Sequence, residues 1–173
     1  MKTNEIESKF REIYDAESDA VFRFCLTRTS DKDLALDFTQ DTFMRFWDSL
    51  CQEKNIKNCR AFLFAVARNL VIDWYRKKKA TSLEAMMSED SYGKDAILAF
   101  DAKIEIDFEA KRLIEKINSL ADPYRDAVYL RCVEELKPRE IAKIIGESAN
   151  VVSVRINRGL KELRSLLNEN TYA

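Results

Sequence analysis

The sequence predicts an all-α fold of two small helical domains joined by a flexible linker, and three observations support this prediction. The chain holds only three glycines and two prolines in 173 residues, so it has little of the turn chemistry that β-hairpins need. Apolar residues recur three or four positions apart over most of its length, which is the spacing of an amphipathic helix. Finally, residues 51–80 carry eight Lys and Arg against two Asp and Glu, whereas residues 81–109 carry two against eight. A basic module therefore borders an acidic segment.

The first predicted domain, residues 1–80, is a helical bundle. Its apolar stripe over residues 6–29 fits one long helix, or two helices with a break near residues 16–19. The next helix is predicted over residues 31–50. Its inward residues are Leu34, Phe38, Phe43, Phe46 and Trp47, and its outward residues are Asp37, Gln40, Asp41 and Arg45.

The third helix, predicted over residues 60–79, is the most distinctive segment of this domain. A polar loop rich in Lys and Asn, residues 52–58, precedes it. Aromatic residues lead to four consecutive basic residues at its end, so the helix has groups suited to both bases and phosphates. The same pattern fits a buried amphipathic helix whose basic end complements the helix dipole. We expect its aromatic residues to be mostly core, with Phe62 or Trp74 as the exception.

Residues 81–107 are predicted to be an acidic linker. Helical periodicity is weaker there, and Ser88, Ser91 and Gly93 interrupt it. Its apolar run, residues 96–100, is expected to dock on another surface.

The second predicted domain, residues 108–173, recovers the helical pattern. One helix is marked by Leu113, Ile117 and Leu120. Pro123 lies near the first turn of the next helix, where its missing amide proton is not needed. That helix is predicted to continue from residue 124 to residue 135.

Residues 137–163 carry a helix-turn-helix pattern within this domain. Pro138 suits the first turn of a helix, Gly146 suits the left-handed residue that ends it, and Ser148 suits the N-cap of the next. The first helix is expected to bury Ile141, Ala142 and Ile145, and the second to bury Val152, Ile156, Leu160 and Leu163. An ordinary helical hairpin has the same spacing. Seven basic residues against three acidic ones over residues 137–164, a net charge of +4, favour DNA as the partner.

Composition limits the chemistry. The chain has no histidine, and its four cysteines form no Cys-x-x-Cys pair, so we expect no metal site, no cofactor and no enzymatic activity. No run of about 18 apolar residues occurs, and the N-terminus lacks a signal-peptide core. We therefore expect no membrane insertion, reduced thiols and a cytoplasmic location.

Three sequence blocks carry a resemblance to a known family. In order, they are DFTQDTFMRFW, RAFLFAVARNLVIDWYRKKK and LADPYRDAVYLRCVEELKPREIAKIIGESANVVSVRINRGLKELR. Their succession closely resembles bacterial RNA polymerase sigma factors of the small extracytoplasmic-function (ECF) type, in the sigma-70 family. The resemblance covers nearly the whole chain except the N-terminal end and the linker. It implies a region 2 domain and a region 4 helix-turn-helix domain on a flexible tether.

The resemblance also implies a role for each site residue. In this family, a region 2 helix docks on the clamp of core RNA polymerase. The residues of this chain at the matching positions are Asp37, Gln40, Asp41, Thr42 and Phe43. The minus-ten promoter element, melted and read as a single strand, is expected to contact Asn55, Asn58, Arg60, Asn69, Asp73, Arg76, Lys77 and Lys78. The minus-thirty-five element, read as a duplex, is expected to contact Ser148, Asn150, Val151, Ser153, Val154, Arg155, Asn157 and Arg158.

This chain departs from the family pattern in its helix-turn-helix. Ser153 stands where family members commonly carry a basic residue, and Val151 and Val154 stand where they carry small polar residues. These departures predict readout through thymine methyl groups and DNA shape, or a weak upstream contact. Lys137 replaces the usual small capping residue before Pro138, which predicts a looser first helix of the motif.

The resemblance implies a mechanism in which the chain directs core polymerase to promoters and traps melted bases, while the polymerase does the chemistry. It further implies an anti-sigma factor as a partner, and a monomer that binds promoter DNA poorly when free. Two alternatives stay open. One is a stand-alone helix-turn-helix regulator whose N-terminal bundle senses a ligand or dimerises. The other is an adaptor or anti-sigma-like interaction protein that has lost DNA readout, which valines in the recognition helix permit.

Overall fold

The structure of the protein, a computed structural model, describes residues 3–84 and 108–169, and these residues contain helices and no strand. The all-α prediction is therefore confirmed. The described residues fall into two compact units. The first contains α1 (Thr3–Thr29), α2 (Lys32–Cys51) and α3 (Cys59–Glu84). The second contains α4 (Phe108–Asn118), α5 (Asp122–Cys132), α6 (Pro138–Ile145) and α7 (Ala149–Glu169).

The element boundaries differ from the predicted ones in three main places, one of which is α5, which begins at Asp122 and ends at Cys132 rather than at residue 135. α1 is one uninterrupted helix, so no break occurs near residues 16–19. α3 runs on to Glu84, into the predicted linker. The remainder of that linker, including the apolar run at residues 96–100, lies outside the described residues.

A tight turn joins α1 to α2. Ser30 adopts a positive φ of 59°, and its backbone amide donates to the Leu26 carbonyl at 3.0 Å, which ends α1. Asp31 then caps α2, because its Oδ1 accepts a hydrogen bond from the Leu34 amide at 3.0 Å. With both ends satisfied within two residues, the helices fold back on each other and pack side by side.

Aromatic side chains hold the three helices of the first unit together. Phe24 of α1 and Phe64 of α3 are fully buried, and their rings meet edge to face with centroids 5.6 Å apart. Near the other end of α3, the Tyr75 hydroxyl donates to the Arg28 carbonyl of α1. Both contacts fix the rotation of α3, so they decide which of its residues face outward.

The cysteines take no part in cross-linking. All four are free, and Cys25 lies in the core between helices. Burial raises the pKa of the Cys25 thiol to about 12, with a hydrogen bond involving Thr39 acting in the opposite direction. Cys25 is therefore a protonated, apolar core residue at neutral pH.

In the second unit, α7 packs closely against α5. A Cβ atom on Gly159 of α7 would lie 2.5 Å from Cγ2 of Val128 and 3.0 Å from Cβ of Tyr124. Val128 is fully buried, and its branched side chain has few rotamers. Glycine is thus required for the close crossing that sets the position of α7.

The helix-turn-helix of α6 and α7 has the predicted turn. Gly146 has a φ of +78° and ends α6, and the Ser148 Oγ accepts from the Val151 amide at 3.2 Å at the start of α7. The buried face of α6 differs by one position, since Ile144 is buried where Ile145 was expected. The predicted looseness near Lys137 is also corrected, because Glu140 Oε2 accepts from the Lys137 amide at 2.7 Å and so closes the first turn.

None of the helices that the structure describes has the combination of length and apolar character needed to span a membrane.

Candidate nucleic-acid interface

The outward face of α3 carries polar residues spaced along successive turns. Asn69, Asp73 and Arg76 are all exposed, and their spacing of four and then three places them on one side of the helix. The Arg76 Nη1 lies 3.7 Å from Asp73 Oδ1, and both side chains are more than half exposed. Such an ion pair is weak, so either group is able to turn toward a ligand.

The C-terminal part of this face adds positive charge and an aromatic surface. Lys77 and Lys78 are exposed. Lys78 Nζ lies 5.3 Å from the centroid of the Trp74 ring, which is half-buried beside Tyr75. The sequence expectation of a partly exposed Trp74 is met, and Phe62, whose ring lies 6.0 Å from that of Phe46, is likewise half-buried. The end of α3 thus offers cations and ring edges next to the polar face.

Two residues predicted at this interface also make contacts within the protein. Asn58 Oδ1 accepts from the Ala61 amide at 2.9 Å and so caps α3. Arg60 Nε lies 3.2 Å from Glu17 Oε2 of α1, with its guanidinium 5.8 Å from the Phe64 ring centroid. These two are positioning residues that join the 52–58 loop and α3 to α1, whereas Asn55 of that loop is exposed.

The Glu17–Arg60 pair is partly removed from solvent. Burial raises the pKa of the Glu17 carboxyl, and the Arg60 charge lowers it by a smaller amount. Because desolvation outweighs the attraction here, the pair fixes geometry more than it adds stability.

The predicted partner-binding residues of α2 separate into surface and core. Asp37 and Gln40 are exposed, and Asp41 is half-exposed, with Arg45 donating to its carboxylate at 3.2 and 3.3 Å. Thr42 and Phe43 are buried, at 0% and 3% exposure. Thr42 and Phe43 are therefore the least exposed residues of the expected set, and Phe43 lines the groove described next.

Sequence reasoning missed an apolar groove beside those residues. Met44 of α2 is 66% exposed, and Tyr14 of α1 is also exposed. The groove lies between these helices and is lined by Phe10, Tyr14, Gln40, Phe43, Met44, Trp47 and Asp48. Leu36, one turn before Gln40, extends the exposed apolar surface along α2. The signal was present in the sequence, because Leu36, Gln40 and Met44 are spaced four apart on the polar side of α2.

In the second unit, the outward face of α7 is exposed at most of the predicted DNA-contact positions. Those exposed are Asn150, Val151, Val154, Asn157 and Arg158. Ser153 is only partly exposed, and its Oγ donates to the Ala149 carbonyl at 2.8 Å. Arg155 Nη2 lies 2.8 Å from Glu147 Oε1, so its charge is partly neutralised within the motif. Ser148 serves as the cap of α7.

Among the described residues, no group of three or more acidic or cysteine side chains is arranged to hold a metal ion.

Comparison with known proteins shows the family to which the chain belongs. The model of Sigma-70 region 2 matches residues 13–81, and the model of Sigma-70, region 4 matches residues 110–163. The first match spans most of α1 to α3, and the second spans most of α4 to α7. The order and the fold together define a sigma-70-type transcription initiation factor.

Individual relatives show which type of sigma factor the chain resembles. The ECF RNA polymerase sigma factor SigM of Bacillus subtilis (strain 168) is 35% identical over 161 residues, which cover 91% of this chain and 94% of SigM. The ECF RNA polymerase sigma factor SigW of the same strain is 26% identical over 171 residues, covering 94% and 91%. The chain belongs to the ECF RNA polymerase sigma factors of the sigma-70 family.

A solved structure supports the fold assignment. The sigma factor RpoE from Bartonella quintana, determined in complex with the anti-sigma factor NepR, matches 92% of this chain and 97% of its own with a TM-score of 0.74. Its sequence identity is 22%, so the likeness concerns the fold.

Proposed function

We propose that this chain acts as an alternative sigma factor that binds core RNA polymerase, melts and reads the minus-ten element through α3 and the 52–58 loop, and reads the minus-thirty-five element through α7. The observation that supports this most strongly is the exposed row of Asn69, Asp73 and Arg76 on α3, within the segment that matches region 2. No part of the mechanism asks for chemistry from this chain, because bond formation stays with the polymerase.

Melting requires that unstacked bases find new partners. Flipping a base out of a duplex costs about a few kcal/mol. An exposed amide at Asn69 both donates and accepts, Asp73 accepts, and the half-buried Trp74 ring offers a stacking surface, so the α3 face suits exposed base edges. Arg76, Lys77 and Lys78 then meet the phosphates of the same strand.

The α1–α2 groove suits the polymerase. Protein interfaces commonly have an apolar centre with a polar rim. Met44, Leu36 and Tyr14 supply the apolar part here, and Asp37, Gln40 and Asp41 supply the rim. We therefore assign core binding to this groove, with Thr42 and Phe43 supporting it from below.

Binding to core polymerase also explains how two small modules locate one promoter. When both units are fixed on the polymerase, each is held near its own DNA element at a high effective concentration. Neither needs high affinity alone. The free chain is accordingly proposed to be a monomer that binds promoter DNA weakly and works in the cytoplasm, where the polymerase is.

An anti-sigma factor is proposed as the regulatory partner. The similar RpoE structure was determined with one bound, and the exposed groove of α1 and α2 is a surface that such an inhibitor would have to cover to block polymerase. An inhibitor that binds this chain while holoenzyme assembly and transcription continue at full rate contradicts the proposal.

Substitution of Asn69 tests the minus-ten assignment. In Asn69→Ala, base edges lose a hydrogen-bonding partner, a loss of about 1–3 kcal/mol, or about fivefold to 150-fold in promoter-complex affinity. We expect run-off transcription by the holoenzyme to fall by that factor while binding to core polymerase is unchanged. Glu12→Ala, at an exposed site of α1 outside every proposed surface, is the matched control. Unchanged transcription by Asn69→Ala would favour the regulator or the adaptor alternative.

A further inference from the structure

The outward face of the first turns of α7 is apolar at its centre. Val151 is 38% exposed and Val154 is 47% exposed, the only exposed large hydrophobic residues of the second unit among the residues described. A separation of three places both on one side of the helix. The structure therefore presents branched methyl groups at the position where a recognition helix meets base edges.

The polar neighbours of these valines are largely engaged within the protein. The Ser153 hydroxyl donates to the Ala149 carbonyl at 2.8 Å, and the Ser148 Oγ accepts from the Val151 amide at 3.2 Å. Arg155 is held by Glu147 at 2.8 Å. In the first two turns of α7, Asn150 remains as the exposed polar side chain beside the valines. Within these two turns, hydrogen-bond readout is thus reduced to the Asn150 amide, while Asn157 and Arg158 are exposed in the following turn.

We propose that Val151 and Val154 are specificity-determining residues that contact the C5-methyl groups of thymines at two neighbouring base pairs of the minus-thirty-five duplex. This inference rests on the proposed function, because it needs α7 to lie in a major groove. The thymine methyl is the apolar group that base pairs present there. A valine against any other base edge removes water from a donor or acceptor and returns no hydrogen bond.

Helix geometry fits two neighbouring contacts. With a rise of about 1.5 Å per residue, the two valines are separated by about 4.5 Å along the helix axis. Successive base pairs are separated by about 3.4 Å. Valine also has few rotamers, so its methyl groups are already placed before binding.

The surroundings of this face favour DNA over an apolar protein partner. Residues 137–164 carry seven basic and three acidic side chains, a net +4. Six of the basic residues are exposed, namely Lys137, Arg139, Lys143, Arg158, Lys161 and Arg164. An apolar patch within a basic surface suits a polyanion whose groove exposes methyl groups.

Replacing thymine with deoxyuridine removes only the methyl group and leaves base pairing and the O4 acceptor in place. The probe is a set of promoter duplexes enriched by holoenzyme from a library randomised at the minus-thirty-five element. We expect A·T pairs at two neighbouring enriched positions. We also expect deoxyuridine there to weaken binding about fourfold for each buried methyl, or about fifteenfold for both.

A double-mutant cycle connects the loss to the valines. In Val151→Ala/Val154→Ala, the thymine duplex should bind more weakly, and the difference between thymine and deoxyuridine should disappear. Val154→Thr, which keeps the shape and replaces one methyl by a hydroxyl, should show part of the loss. Ser165→Ala, at an exposed site further along α7, is the control and should keep the full difference.

The possible outcomes distinguish failure of the methyl contact from failure of the proposed minus-thirty-five role of α7. Equal binding of thymine and deoxyuridine duplexes overturns the methyl contact, while the minus-thirty-five role stands because the holoenzyme still selects duplexes. An equal loss on both duplexes in the double variant makes the valines structural and also overturns it. If the holoenzyme enriches no duplex at all, the proposed role of α7 fails together with the inference.

Discussion

The two helices proposed to bind DNA, α3 and α7, present different side chains on their outward faces. The α3 face carries an amide, a carboxylate and three cations in its last turns, whereas the centre of the α7 face carries two valines, with its nearest arginine paired to Glu147. An unstacked base exposes all its hydrogen-bonding groups, and a base within a duplex exposes only one edge. On the proposed assignments, hydrogen-bonding groups serve the separated strand, and methyl groups serve the duplex.

The two helices are also held in place by different contacts. Removing a buried aromatic ring should have the largest effect on stability. Phe64 anchors α3, is fully buried and contacts Phe24. Phe64→Ala should lower the free energy of unfolding of the first unit by about 3–5 kcal/mol. Denaturant titration followed by circular dichroism measures this, with Phe64→Leu as the milder control. A loss below 1 kcal/mol would show that the ring does not position α3.

The position of α7 depends instead on a residue without a side chain, Gly159. Alanine favours a helix over glycine by about 1 kcal/mol, yet a Cβ at position 159 lies 2.5 Å from buried Val128. Overpacking of about 1–3 kcal/mol should outweigh the propensity gain. Gly159→Ala should therefore lower the melting temperature of the second unit and spare the first. Ser165→Ala is the control, and a stabilised Gly159→Ala protein would contradict the close crossing.

The two proposed DNA-binding surfaces should also differ in how they make promoter affinity depend on salt. Arg76→Ala/Lys78→Ala removes two cations proposed to meet single-strand phosphates, so the slope of log affinity against log salt should become shallower by about 1.4. Val151→Ala/Val154→Ala should leave the slope unchanged while lowering affinity. Holoenzyme binding to promoter DNA at several salt concentrations measures both. Equal slope changes for the two variants would erase the contrast between α3 and α7.

The smallest expected effect concerns the ion pair that ties α3 to α1. Burial raises the pKa of Glu17 above its ordinary 4.5, so the folded state holds this proton more tightly than the unfolded state. The contribution of Glu17 to stability is then present at low pH and is lost as pH rises through the range above 4.5. Glu17→Gln should flatten this part of the stability profile relative to wild type. The exposed Glu12→Gln should not, and equal profiles for wild type and Glu17→Gln would refute the assignment.

Much of the fold could be predicted because its signals are local. Gly146 ends α6 through its backbone angle and Ser148 begins α7 through a hydrogen bond within a few residues, and the sequence pattern predicts both. The exchange of Ile145 for Ile144 in the core reflects the short length of α6, where a small rotation changes the buried position. Lys137 was misjudged because the cap is provided by Glu140, three residues later.

The candidate site was predicted less completely, since some of its contacts join distant parts of the chain. Arg60 has the composition of a phosphate contact, and Glu17 of α1 lies 3.2 Å away. Asn58 was expected to contact a base, and its side chain also caps α3. The apolar groove at Tyr14 and Met44 forms only when α1 and α2 pack, so the spacing of residues along α2 indicates only one of its walls.

Run-off transcription with purified core RNA polymerase tests the central claim most directly. Core polymerase alone and core polymerase with this chain are compared on a genomic promoter library, and the transcript starts are mapped. The account predicts that the chain forms a holoenzyme and adds starts at defined promoters, and that a charge in the groove, Met44→Glu, removes them. Failure to form a holoenzyme, or identical transcripts with and without the chain, would contradict it.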